Sequence, residues 1–234
     1  LAFASFIKYS QFKYPILWFY GGPNDDNVQK LLKKFDNIQL IPISPIIGSN
    51  ALNDFYLYQL PKLIPEQHEK LLYFQDDGFL IKSGWEQFIE EHDFDYVGPP
   101  WYNYINYPLF VYNFYVNEMK LNKKDFKFQE IGNGGFCYRK RSKMISVSNA
   151  IPKPDKLLEL GNKMRENPQF RFDMGITEDW ISCHVGFNSG IFKSMPVNIA
   201  RQFAQELSIE WIGDKIKSID DIQSFGFHCN YINK

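Results

Sequence analysis

The chain lacks the marks of several common functional classes. Its formal charge is almost balanced, −1 over 234 residues, so it carries no electrostatic footprint for DNA, RNA or an anionic membrane. Cys137, Cys183 and Cys229 stand far apart, and without a CxxC pair there is no zinc or redox motif. The odd cysteine count and the absence of any Asn-x-Ser/Thr acceptor point to a reducing, cytoplasmic setting. No apolar run approaches the length of a membrane span, and no charged-then-apolar leader opens the sequence. Neither a Walker A pattern nor GxGxxG occurs, which removes the ATPase and dinucleotide readings. Internal repeats, low-complexity tracts and long linkers are also missing, so residues 1–234 read as a single domain.

Apolar and aromatic residues are plentiful: 44% of the chain is hydrophobic and 18% aromatic, enough for a sizeable core and too much for disorder. Short runs bounded by Gly, Pro or Asp read as strands: "PILWFYGG" (15–22), "IQLIPI" (38–43), "KLLYFQDD" (70–77) and "DYVGPPW" (95–101). Between them "NDDNVQKLLKKF" (24–35), "NDFYLYQLPKLI" (53–64, broken near Pro61) and "GWEQFIEEH" (84–92) read as helices. This alternation predicts an α/β fold of right-handed βαβ units, with a mainly parallel sheet flanked by helices. The aromatic and polar residues of 101–117 alternate, which predicts extended segments or a hairpin, and 154–168 predicts a helix.

Adjacent carboxylates at a strand end pose the chemical question. In "LLYFQDDGFL", Asp76 and Asp77 follow a buried-looking run, and desolvated like charges are costly unless something pairs with them. Ligands of open α/β sheets bind beyond the carboxyl ends of the strands, and paired carboxylates suit Mn²⁺ or Mg²⁺. A solvated turn is the alternative. "GNGGF" (132–136) provides glycines that let backbone approach a ligand, or simply a turn. "GITEDWISCH" (175–184) presents Glu178 and Asp179 either as the acidic first turn of a helix capped by Thr177, or as a general base. The basic residues Arg139, Lys140, Arg141 and Lys143 could hold one phosphate group. The aromatic tract starting at Trp101 suits either sugar stacking or core packing. Of the histidines, His68 and His92 sit among charged residues, His184 is ambiguous, and His228 stands in the apolar "FGFHCN".

Taken in order, "LLYFQDDGFL", "FDYVGPPW", "IGNGGFCYRKRSKM", "TEDWISCH" and "FGFH" resemble a family of GT-A-type glycosyltransferases (DUF5672-like). Its usual forms read approximately FQTDS, YDYIGAPW, VGNGGFSLR, EDVFFS and PFGFH. The likeness covers residues 52–228, and the ordered set is far more specific than any one member. It implies a GT-A-like sheet with a smaller acceptor-side extension, a nucleotide-sugar donor, a glycan or other hydroxyl acceptor, and Mn²⁺ or Mg²⁺. By motif, Asp77 matches the metal ligand of a DxD-type site and His228 the terminal histidine that completes it. Asp76 stands where the family often has threonine, and Gln75 where a regular DxD has its first carboxylate. Asn133, Gly134 and Gly135 match the loop bordering donor and acceptor, Asp76, Trp101 and Glu178 are further expected substrate-binding residues, and Asp179 matches the catalytic base. A GT-A domain starts with a nucleotide-binding strand, whereas residues 1–13 read as a helix, so that strand is absent or short here. The implied activity is transfer of a sugar to a hydroxyl with inversion. A metal-dependent nucleotide-sugar hydrolase and a non-catalytic carbohydrate-binding domain are the rivals.

Overall fold

The apolar runs of the first hundred residues fold close to where their sequence places them. The computed structural model describes residues 2–11, 13–22, 30, 33, 35–101, 109–151, 154–166, 177–193, 195–207 and 221–229. Helix α1 (Ala2–Ser10) buries Ala2, Phe6 and Ser10, four residues apart as on one face of an amphipathic helix. Strand β1 (Ile16–Tyr20) pairs in parallel with β2 (Ile38–Pro42). The helix expected over 24–35 lies almost wholly outside the described residues. Helix α2 (Gly48–Asp54) continues through a π-helical turn, Phe55–Gln59, into α3 (Leu60–Leu63). Pro61 has no N–H to bond back, and the wide turn ahead of it absorbs that defect without ending the helix.

Strand β3 (Lys70–Phe74) turns at Asp76 and Asp77 into β4 (Gly78–Leu80), and α4 (Trp85–His92) and β5 (Tyr96–Val97) follow. The rest comprises α5 (Leu109–Asn113) with a π-helical extension Phe114–Glu118, β6 (Phe136–Lys140), α6 (Arg141–Ala150) and α7 (Pro154–Arg165). Then come α8 (Glu178–Asn188), α9 (Val197–Phe203), β7 (Ala204–Leu207) and β8 (Gly226–Cys229).

The fold is α/β, with small mixed sheets among the described residues in place of the expected mainly parallel one. β6 lies between β3 and β5 and is antiparallel to both, so β3 and β5 run parallel to each other. β4 pairs antiparallel with β8, which pairs in parallel with β7. Residues 109–118 are helical, not extended. Val111, Phe114, Tyr115 and Met119 are buried at intervals of three and four, and that spacing overrides the aromatic–polar alternation.

Side-chain alternation along β6 divides the core. Phe136 and Tyr138 pack with Phe6, Leu80, Trp85 and Phe203. Cys137 packs on the other side with Tyr96, Val111, Tyr115, Trp180 and Ile181. Each such large side chain contributes about 1.5–3 kcal/mol through burial, so the glycine loop ahead of β6 is anchored from both sides.

Candidate functional site

The site is built on the turn Asn133–Gly134–Gly135 that leads into β6. Asn133 is buried, and its Oδ1 accepts a bond from the Gly135 N–H at 2.9 Å, which fixes the turn from within. Gly135 O accepts from the Gln75 N–H at 2.8 Å, tying the turn to the end of β3. Both glycines are needed for close approach. A Cβ on Gly135 would collide with the ring of His228, and one on Gly134 would press on Arg139, Glu178 and Asp179.

Strand pairing brings the expected metal ligands together. β4 follows Asp77 directly and sets Gly78 opposite His228 in β8. Asp77 Oδ1 and His228 Nε2 lie 3.2 Å apart, yet Asp77 Oδ1 and His228 Nδ1 make no hydrogen bond among the described residues. A protonated His228 pairs with the Asp77 carboxylate at this distance, and a neutral one presents a second lone pair beside it, the spacing of two ligands on one cation. Adjacent ligands of one ion at about 2.1 Å would be about 3 Å apart, so the pair fits Mn²⁺ or Mg²⁺. Among the described residues no group of three or more His, Cys, Asp or Glu side chains is placed to hold a metal ion, so Asp77 and His228 are a pair without a third such ligand. Burial alone would lower the His228 pKa, but Asp77, and after it Glu206 and Asp179, outweigh burial and raise it. Asp76 is exposed and lines a neighbouring cavity.

Asp179 sits in the first turn of α8 and grips the same loop. Its Oδ2 accepts from the Gly134 N–H at 2.8 Å and its Oδ1 from the Trp180 N–H at 2.7 Å. Thr177 holds the N-cap position but makes no capping bond with its side chain, so the expected capping box does not form. Asp179, half-buried, is thereby held rigidly with lone pairs to spare. Adjacent residues of one turn thus contact Asp179 and His228, while Asp77 meets that histidine.

Glu178 points elsewhere. Its carboxylate accepts two bonds from Arg139, Nη1 to Oε2 and Nη2 to Oε1, both at 3.1 Å. Burial pushes the Glu178 carboxyl up, opposed by Arg139. The guanidinium also lies over the rings of Tyr73 and Tyr96, 5.3 and 5.1 Å from their centroids, and its Nε donates to Cys137 Sγ at 3.0 Å. Sequence reasoning missed this anchor. The available signal was the register of "FCYRK", which points Arg139 to the same side as Cys137 and so into the core.

The basic cluster is otherwise occupied too, which answers the suggestion that it holds a phosphate. Lys140 bonds Asp93 at 2.8 Å and buried Asp95 at 3.0 Å, Arg141 donates to Ile64 O at 2.8 Å, and Lys143 donates to Ile191 O at 2.8 Å. Trp101 is half-buried and faces Gly132 and His184. His184 is fully buried: Nδ1 donates to Trp180 O at 2.8 Å and Nε2 accepts from the Gln129 N–H at 3.1 Å. That network assigns a neutral ring, and burial lowers its pKa to about 3. His184 is a core residue.

With this geometry in view the family can be stated. The model described as "Protein of unknown function (DUF5672)" matches residues 46–228, most of the chain and all of the site, and the chain belongs to that family. A search of curated proteins finds no match.

Proposed function

We propose that the chain is a metal-dependent glycosyltransferase of GT-A type, moving a sugar from a nucleoside-diphosphate donor to a hydroxyl acceptor with inversion. The observation that carries this reading is the convergence of Asp77, His228 and Asp179 round the Gly134–Gly135 turn. Distant segments meet there, at the end of β3. A module that only binds carbohydrate has no use for a cation pair beside a fixed carboxylate, so the convergence favours catalysis. The reversed β6 between parallel β3 and β5 is compatible with a GT-A-like sheet.

Asp77 and His228 would hold Mn²⁺ or Mg²⁺, which when bound neutralises charge on a diphosphate leaving group. Asp179, rigid and half-buried, accepts the proton of the acceptor hydroxyl. The acceptor oxygen bonds the anomeric carbon, the bond from that carbon to the diphosphate oxygen breaks, and its electron pair leaves with the diphosphate. Base and leaving group act on opposite faces of the sugar, hence inversion. Asn133 shapes the turn, and Gly134 and Gly135 keep it free of side chains where donor and acceptor meet. Trp101, which bonds Glu130 just ahead of that turn and faces Gly132, and Asp76, at the exposed rim, border the substrates. Among the described residues no helix is long and apolar enough to cross a membrane. A cytoplasmic setting is part of this proposal, resting on the lack of sequons and on the free buried thiols Cys137 and Cys183.

The test is a panel of nucleotide-sugars screened by thermal shift with and without Mn²⁺. At a hundredfold excess over Kd a true donor adds about 2.7 kcal/mol of stability, or roughly 5–10 °C for a chain of this size. Stabilisation that requires both donor and Mn²⁺ is the expected result. A panel with no metal-dependent shift argues against the reading. Release of free sugar as fast as transfer would reassign the site to a hydrolase.

A further inference from the structure

Asp179 opens a helix whose cap residue does not hold it. Thr177 makes no capping bond with its side chain, so the usual device that fixes a first helical turn is missing. Both carboxylates of that turn are held from β6 and the loop ahead of it. Glu178 takes the fork of Arg139, and Asp179 takes the Gly134 N–H.

Arg139 also reaches Gly134 by two further routes. Its Nε donates to Cys137 Sγ at 3.0 Å, and the Cys137 thiol donates to Gly134 O at 3.5 Å. Burial pushes that thiol up to about 11, so it keeps the proton this bond needs. The other route is direct packing. Where a Gly134 Cβ would stand, Arg139 Nη2, Glu178 Oε1 and Asp179 Cβ lie 2.7, 2.9 and 3.0 Å away. The guanidinium is itself fixed: it is 3% exposed and lies over the rings of Tyr73 in β3 and Tyr96 in β5. Tyr96 Oη in turn donates to Gly132 O at 2.6 Å. One side chain therefore ties β3, β5, the glycine turn and the start of α8 together. Proton transfer gives the tie a use. An ionised Asp179 accepts strong bonds from the Gly134 and Trp180 N–H groups, and on taking a proton it accepts them about half as strongly. The Arg139–Glu178 pair keeps its charges throughout, so the turn stays in place when the grip of Asp179 loosens.

We infer that Arg139 is the positioning residue for the base: through Glu178 and Cys137 it holds Asp179 against Gly134 while the acceptor proton is taken up and released. The inference rests on the reading of Asp179 as that base. It assigns Glu178 to the same task, away from substrate. A displacement of about 1 Å at a reacting group costs on the order of a hundredfold in rate, so the tie matters to turnover even where the fold survives without it. Lysine cannot replace arginine here, because a single ammonium point lacks the planar fork that fixes the Glu178 carboxylate.

The double variant Arg139→Met with Glu178→Met separates positioning from stability, because it removes the guanidinium without leaving a buried charge behind. Hydrogen exchange reads it with no substrate present. The Gly134 amide exchanges at least about tenfold faster than in wild type, while the Gln75 amide, bonded to Gly135 O, is unchanged. Turnover, measured with the donor that the nucleotide-sugar panel returns, falls about tenfold to a hundredfold. Mn²⁺-dependent affinity for nucleoside diphosphates stays within about threefold of wild type, because Asp77 and His228 are untouched. Arg139→Lys keeps the buried charge without the fork, and its turnover falls between wild type and the double variant at the same diphosphate affinity. Wild-type turnover in either variant, or an unchanged Gly134 amide in the double variant, would overturn the inference and leave a buried ion pair that only stabilises. Parallel loss of turnover and diphosphate affinity would also overturn it, since the whole turn would then have shifted. Full transfer in Asp179→Asn would instead remove the base itself, whatever the Gly134 amide does.

Discussion

Replacing Arg139 by methionine tests the anchor beneath the glycine loop. The side chains of Arg139 and Glu178 are 4% and 5% exposed and joined by two bonds, so neither charge has water to fall back on. Removing the guanidinium leaves a buried carboxylate without its partner, which costs about 3–5 kcal/mol. Replacing both, Arg139→Met with Glu178→Met, removes the orphaned charge as well, and most of that loss returns. Urea unfolding of wild type, both single variants and the double variant gives the coupling. The sign of the pH dependence provides an independent check. With Arg139 gone, burial raises the Glu178 pKa without opposition, and the folded state holds a proton that the unfolded chain has released. Such a raised carboxyl stabilises below its unfolded value of 4.5 and loses that contribution as pH rises through the folded value. Arg139→Met alone is therefore stabilised on acidification from pH 7 to 5, by up to about 1.4 kcal/mol per unit, relative to the double variant. A single variant that loses under 1 kcal/mol, or one whose pH profile matches that of the double variant, would refute the buried ion pair.

His184, with its pKa lowered by burial to about 3, contributes stability that is present above the usual histidine value of 6.5 and is lost as pH falls below it. His184→Gln flattens that slope between pH 6.5 and 5, and urea midpoints that move equally with pH in variant and wild type would refute the neutral buried ring. Gly135→Ala pushes a methyl group into the His228 ring and so abolishes Mn²⁺-dependent thermal stabilisation by nucleotide-sugars, with a folding cost of about 1–3 kcal/mol; an unchanged metal-dependent shift would argue against the packing of His228 on that turn. Asp179→Asn keeps donor affinity and lowers turnover by about 10² to 10⁴, and full transfer activity in this variant would remove Asp179 as the base.

Local pattern made the first hundred residues legible because each apolar run there ends at a Gly, Pro or Asp. It could not give strand direction. "GGFCYRK" reads alike in either sense, and only its pairing with Leu72 and Val97 reveals that β6 runs against its neighbours. Residues 109–118 misled for a different reason: their aromatic residues fit a period of two as well as one of three to four, and burial of Tyr115 and Met119 decides for the helix. Within the site, Asp77 was conspicuous as a carboxylate at a strand end. Its meeting with His228 depends on β4–β8 pairing across some 150 residues, which no local spacing encodes and only the ordered motifs implied. Arg139 looked like part of a phosphate-binding cluster because charge along a sequence does not show which residues turn inward.

The central claim is that Asp77 and His228 hold a divalent cation that binds together with a nucleoside diphosphate, with Asp179 outside that cation site. Titration of Mn²⁺ followed by electron paramagnetic resonance, with and without nucleoside diphosphates, measures this directly. Wild type takes up Mn²⁺ strongly only with a diphosphate present, Asp77→Ala and His228→Ala weaken uptake at least about tenfold, and Asp179→Asn leaves it unchanged. Uptake that is equally strong in wild type and Asp77→Ala would contradict the account.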